Sequence, residues 1–133
     1  MGQWLHKHNI TPSVILSSPA QRAKQTAEAV AGALEMTIGE IKLNKDLYLA
    51  DRATLLHALH SVPEHTESVL LVAHNPGLDE LVEWLAPEPP ALTQYGKLMT
   101  TAAIAIFEVP VSWTKLRHGK ALLQQLVRPR DLV

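Results

Sequence analysis

Two residues of this 133-residue sequence are of a type and in a setting that could do chemistry on an anion: His74 and Arg22. His74 ends the stretch Ser68–Asp79, SVLLVAHNPGLD, where four apolar residues, Val69 to Val72, stop abruptly at Ala73-His74-Asn75-Pro76-Gly77. An apolar run of that length reads as a strand buried on both faces, and open α/β sheets bind ligands outside the carboxyl ends of such strands. Taken alone, a histidine there reads better as a strand cap. Its neighbours tilt the reading toward a site, because Asn75 offers local hydrogen bonds, Pro76 suits a helix start and Gly77 admits close backbone approach.

Arg22 follows a second short apolar run, Val14-Ile15-Leu16, and Ser17-Ser18-Pro19. That pattern predicts a strand and then a helix capped by Ser18, with Pro19 at its first position and its end near Leu34. A cation in the first turn faces the positive end of the helix dipole, a conflict that a shared anion resolves. Helix N–H groups together with an arginine fork are suited to phosphate. A plain surface arginine is an equal alternative from the residues alone.

The remaining elements must bring these two residues to one sheet edge. Residues 1–9 read as the last turns of a helix, and Ala20, Ala23, Ala27, Ala29, Ala31 and Ala33 give the second helix a small face for close packing on a sheet. Ile41-Lys42-Leu43 suits a short strand, Arg52 to His60 a helix with Leu55, Leu56 and Leu59 inward, and Gly77 to Leu85 another with Leu78, Leu81, Val82 and Leu85 on one stripe. Pro87, Pro89 and Pro90 break that helix into a loop; Ala102–Phe107 reads as a strand and Ala121–Val127 as an edge strand. Strands alternating with helices predict an α/β layered fold, a single domain over residues 1–133 with a largely parallel sheet.

Composition narrows the function classes. Lysine and arginine number 12 against 13 aspartate and glutamate, so no overall field draws nucleic acid or an anionic membrane surface, and an anion must be bound by a local cluster. The absence of cysteine removes thiol catalysis and disulfides and favours a reducing compartment. With an opening MGQWLHKHN that lacks an apolar signal core, the expectation is a cytoplasmic protein.

The segment Ser17-Ser18-Pro19-Ala20-Gln21-Arg22-Ala23-Lys24-Gln25-Thr26-Ala27 resembles the SSPxxRAxQTA segment of the histidine phosphatase superfamily, and Val72-Ala73-His74-Asn75-Pro76 resembles its second-histidine segment. Asp46-Leu47-Tyr48, the Leu98–Phe107 segment with Thr100-Thr101, Trp113 and Pro129-Arg130-Asp131-Leu132 are also similar, most of all to the SixA-type phosphohistidine phosphatases. The resemblance implies a three-layer α/β/α, phosphoglycerate mutase-like fold and a phosphatase working through a phosphohistidine intermediate without metal or other cofactor. It implies a phosphohistidine-containing protein or a small phosphoester as substrate. Arg22 and His74 match the arginine and histidine that hold the phosphoryl oxygens. The nucleophile implied is the histidine of an Arg-His-Gly motif ending a first strand; this sequence starts after that place, so the expectation is a domain lacking that strand and an incomplete catalytic set.

An Arg-His-Gly does occur at Arg117-His118-Gly119, but its flanks predict a hairpin turn, with Gly119 supplying a positive φ. His57, His60 and His65 could hold a metal but have no acidic partner, and His6 and His8 are expected to be solvated. Trp4, Trp84 and Trp113 read as packing residues. A phosphate- or phosphoprotein-binding module without catalysis is the alternative function, and a dimer completing the sheet by edge pairing is a third reading.

Overall fold

The structure, a computed structural model, describes residues 2–88 and 103–128. In chain order they form α1 (Gly2–Lys7), β1 (Val14–Ser17), α2 (Gln21–Ala33), β2 (Ile41–Leu43), α3 (Arg52–His60), β3 (Val69–Val72), α4 (Gly77–Leu85), β4 (Ile104–Glu108) and β5 (Leu122–Val127). Single 3₁₀ turns stand at Ile38–Glu40, Lys45–Leu47 and Trp113–Lys115. Pro89, Pro90, the Leu98–Thr101 part of the family-like segment, Ala102 and the tail from Pro129 lie outside the described residues. Among those described, no helix is long and apolar enough to cross a membrane. They fall into two compact units, one built from the chain up to Ala50 with Pro63–His74, the other from Asp51–Val62 with the residues from Asn75 onward.

The first unit is a parallel sheet in the order β2-β1-β3. Ile15 of β1 pairs with Ile41 on one side and Leu70 on the other, and is fully buried. The ladder runs past the strands: the Asn44 N–H donates to the Ser17 carbonyl and the Ser18 N–H to the Val72 carbonyl, both at 2.9 Å. These bonds tie the carboxyl ends of all three strands together.

One expectation needs correction. Val69–Val72 is not buried on both faces: it is an edge strand among the described residues, and all four of its residues are half-buried. A strand with a partner on one side only leaves its side chains within reach of solvent, even when all are apolar.

Helix α2 packs on the sheet and α1 packs on α2. Ala23, Ala27, Val30 and Ala31 are buried, whereas Ala29 faces solvent, so the small face is narrower than the alanine count suggests. A Cβ added to Gly2 would stand 2.8 Å from the Ala33 Cβ and 3.0 Å from the Val30 Cα, a collision with backbone. Gly2→Ala is therefore expected to cost about 1–3 kcal/mol through overpacking, read from the urea midpoint. Gly32→Ala, which meets nothing within 4 Å, is the control and gains helix propensity.

The start of α2 also differs from expectation. Its N-cap is Ala20, not Ser18, and no side chain caps it. The Ser18 hydroxyl instead accepts a 3.2 Å bond from the Ala20 N–H, which lies before the helix, and is engaged elsewhere as well.

In the second unit α3 packs against α4. Asp51 caps α3, its carboxylate accepting from the Thr54 N–H at 2.9 Å. The inward residues are Leu55, Ala58 and Leu59, answered by Leu81, Val82 and Leu85 of α4. The cap bonds, first to the Thr54 backbone and then to its hydroxyl, hold the Asp51 carboxyl below its ordinary pKa. A carboxyl whose pKa is depressed on folding adds stability above its unfolded pKa and loses it as pH falls through the lower folded value. Asp51→Ala is therefore expected to lower the melting temperature by a few degrees near neutrality, and the gap from wild type should close on acidification below that folded value.

Strands β4 and β5 pair antiparallel, with a bulge between Ile106 and Phe107, as a separate two-stranded sheet. The α/β class thus holds, with the parallel arrangement confined to β1–β3.

Candidate active site

The parallel register places Ser17 opposite Val72, so Ser18 and the Ala73-His74 pair leave the sheet side by side. His74 Nε2 lies 2.8 Å from the Ser18 Oγ. Ser17 and Ser18 are both fully buried, and the Ser17 hydroxyl donates to the Ser18 carbonyl at 2.9 Å. A serine-rich turn in this position gives the loop its own hydrogen-bond partners while it passes under the site.

The Tyr48 ring meets the His74 imidazole edge to face, with centroids 5.6 Å apart and planes at 83°. Tyr48 stands directly after the 3₁₀ turn Lys45–Leu47, which is pinned by the fully buried Leu47 and by the Asn44 side chain accepting from the Asp46 N–H. Leu49 beside it has φ of 50°, a left-handed conformation uncommon for a branched residue. Leu43, Tyr48 and Leu49 are all exposed, an apolar rim at the same strand ends.

Arg22 is the second residue of α2 and is exposed to solvent. The first turn of α2 holds no acidic residue, so neither an N-cap side chain nor a carboxylate neutralises that helix end. Thr26 donates its hydroxyl to the Arg22 carbonyl. The structure thus brings Ser18, Tyr48 and His74 into contact and sets Arg22 at the start of the helix that follows Ser18. No bond joins Arg22 to His74 among the described residues.

Tyr48 and the Ser18 link were not visible as site residues in the sequence. The signal available was Asp46-Leu47-Tyr48, present only as part of a family likeness. Asn75 lies in the second unit, where its side chain accepts from the Asp79 N–H at the start of α4, and Gly77 is the buried first residue of that helix.

Arg117-His118-Gly119 sits in the connection between β4 and β5. Arg117 Nη1 donates to the Thr114 and Leu116 carbonyls, the His118 ring stacks on Trp84 at 5.6 Å, and Gly119 has φ of 71°. The positive φ agrees with a turn; the connection is longer than a tight hairpin because the 3₁₀ turn Trp113–Lys115 intervenes. On its other contact Trp84 lies 4.9 Å from the Arg52 guanidinium. His60 Nε2 is 2.8 Å from the Leu116 carbonyl, and no group of three metal-ligating side chains occurs among the described residues. His8 is not simply solvated: its ring stacks on Trp4 at 4.1 Å and its Nδ1 is 2.8 Å from the Trp4 carbonyl.

No protein-family model matches the sequence, and no curated protein matches it. Solved structures do. A protein of Nakamurella multipartitia described as a SixA phosphohistidine phosphatase superposes with a TM-score of 0.79 at 23% identity, over 96% of this chain and 77% of that one. The protein histidine phosphatase SixA complexed with tungstate gives 0.76 at 25% identity, over 99% and 78%. A SixA protein of Agrobacterium tumefaciens gives 0.71 at 24% identity, over 96% and 75%. The chain therefore has the α/β fold of the histidine phosphatase superfamily. Within that class its likeness is to the SixA phosphohistidine phosphatases, as the motifs around Arg22 and His74 lead one to expect.

Proposed function

We propose that this chain is a phosphohistidine phosphatase, a phosphoric monoester hydrolase, in which Arg22 and His74 bind the phosphoryl group and stabilise its charge. The observation that carries the reading is the joining of the two motif segments at the strand ends: His74, after β3, is bonded to Ser18, and α2 with Arg22 in its first turn begins three residues later. Phosphoryl transfer is mostly positioning and electrostatic stabilisation, which an arginine fork and an imidazole donor supply. That one of the similar structures holds tungstate, a tetrahedral oxyanion, supports the same reading.

The nucleophile in this reading is the histidine of the family's Arg-His-Gly motif, and the Arg117-His118-Gly119 of this sequence lies instead in the connection between β4 and β5. The part of the reaction assigned here to Arg22 and His74 is therefore oxyanion binding. The substrate is a phosphohistidine-containing protein, met at a site with an open apolar rim. The 133 residues act as one phosphatase-like domain, and the lack of cysteine supports a cytoplasmic location.

The test is a tungstate titration of the full chain in competition with a phosphohistidine peptide, with phosphate release followed after acid quench. Binding of both at one site is expected. Absence of both would overturn the reading, and turnover abolished by His118→Ala would move the nucleophile to the Arg117–Gly119 turn.

A further inference from the structure

The Ser18 hydroxyl has more to do than its place in a helix-start motif requires. It is fully buried, 56 positions from His74 in the chain, and lies 2.8 Å from His74 Nε2 and 3.2 Å from the Ala20 nitrogen. The second contact has only one polarity: the Ala20 N–H donates and Oγ accepts. The first contact can run either way, and the proton count decides it.

If Nε2 carried a proton, as in the other neutral tautomer or in imidazolium, Oγ would accept twice. The serine's own proton would then be buried with no acceptor recorded among the described residues. Leaving a buried donor unmade is the costly outcome for a polar group. If the hydroxyl donates to a bare Nε2, both functions of the buried hydroxyl are satisfied, Ala20 N–H to Oγ and Oγ–H to Nε2, and the Nδ1–H of the half-buried ring is left for solvent or a ligand. The bond made by one ring nitrogen fixes which nitrogen bears the proton.

We infer that Ser18 is a positioning residue that holds His74 as the neutral Nδ1–H tautomer, so that the edge offered to a phosphoryl oxygen is an N–H donor without a full charge. This inference rests on the phosphatase reading for the identity of the ligand, not for the tautomer. Its chemical content is a division of roles. Arg22 carries the positive charge, and His74 polarises an oxygen by hydrogen bonding, as a neutral imidazole can. It follows that His74 does not hand a proton to a leaving group, since a neutral Nδ1–H is a very weak acid. Tyr48, edge to face against the ring, restricts its rotation and so preserves the Ser18 contact.

The experiment is a two-bond proton–nitrogen correlation spectrum of the full chain labelled in its histidines, near neutral pH and without ligand, with His74 assigned from His74→Gln. Wild type is expected to show Nδ1 protonated and Nε2 bare. Ser18→Ala is expected to shift His74 toward the Nε2–H form, and Ser18→Thr, which keeps a hydroxyl, to restore the wild-type pattern. A protonated Nε2 in wild type, or an unchanged tautomer in folded Ser18→Ala, would overturn the inference. If Ser18→Ala does not fold, the wild-type and Ser18→Thr spectra decide the matter. Tungstate binding is read separately: Ser18→Ala is expected to weaken it roughly tenfold, the scale on which partners that orient ligating histidines act. A wild type that binds no tungstate would overturn the phosphatase reading and leave the tautomer to be decided by its own spectrum.

Discussion

Arg22→Ala is expected to weaken tungstate binding by about a hundredfold or more while leaving the fold intact. Both halves follow from where the residue sits. Its side chain is exposed and makes no hydrogen bond or ion pair among the described residues, so truncation removes no packing. What it removes is a positive fork at a helix end that no side chain caps. Charge-assisted bidentate bonds are about twice as strong as neutral ones, and deleting a preorganised donor from an oxyanion site costs on the order of 10²–10³. Arg22→Lys separates charge from geometry: a point charge survives but the two parallel N–H bonds do not, so intermediate binding is expected. Calorimetric titration with tungstate, paired with thermal melts, checks both claims. Unchanged affinity in Arg22→Ala would remove the central support for the proposed function.

The position of Arg22 was legible in the sequence because its signal is local. A cation in the first turn of a predicted helix is an electrostatic conflict visible within six residues, and the structure puts it in that turn. The same holds for β1, α3 and α4, read from their apolar residues at Val14-Ile15-Leu16, Arg52 to His60 and Gly77 to Leu85, where the structure has them. What was not legible depends on partners far apart in the chain. Four apolar residues at Val69–Val72 imply burial, but whether a strand has one neighbour or two is a property of the sheet. Ser18 reads locally as a cap because serine before proline and a helical pattern so often is one. Its bond to His74 across the parallel register leaves no trace in the spacing of either segment. Tyr48 is missed for the same reason: it reaches His74 only because β1 stands between the strands that carry them.

That dependence on β1 makes Ile15 the residue whose loss should be felt most widely. Ile15→Ala is expected to destabilise the protein by about 2–5 kcal/mol, the range for emptying a buried isoleucine site. Ile15 has no exposed surface and sits between Ile41 and Leu70 in the middle strand of the parallel sheet, so neither neighbour can close the gap without breaking the register. Against a total stability of about 5–15 kcal/mol, this is a large fraction, and the variant will have a measurable unfolded population under mild denaturant. Ile15→Val, which removes one methylene, should cost about 0.5–1.5 kcal/mol. The effect should also reach the site. Ser17, two residues after Ile15, ends the same strand, and it and the following Ser18 hold the Asn44, Val72 and His74 ends together. Tungstate affinity in Ile15→Ala should therefore fall with the folded fraction and recover as far as ligand or stabilising salt restores folding, whereas in Arg22→Ala it should not recover at all. Urea unfolding followed in the presence and absence of tungstate separates the two: a stability loss under 1 kcal/mol for Ile15→Ala would mean that β1 is not the strand on which the site depends.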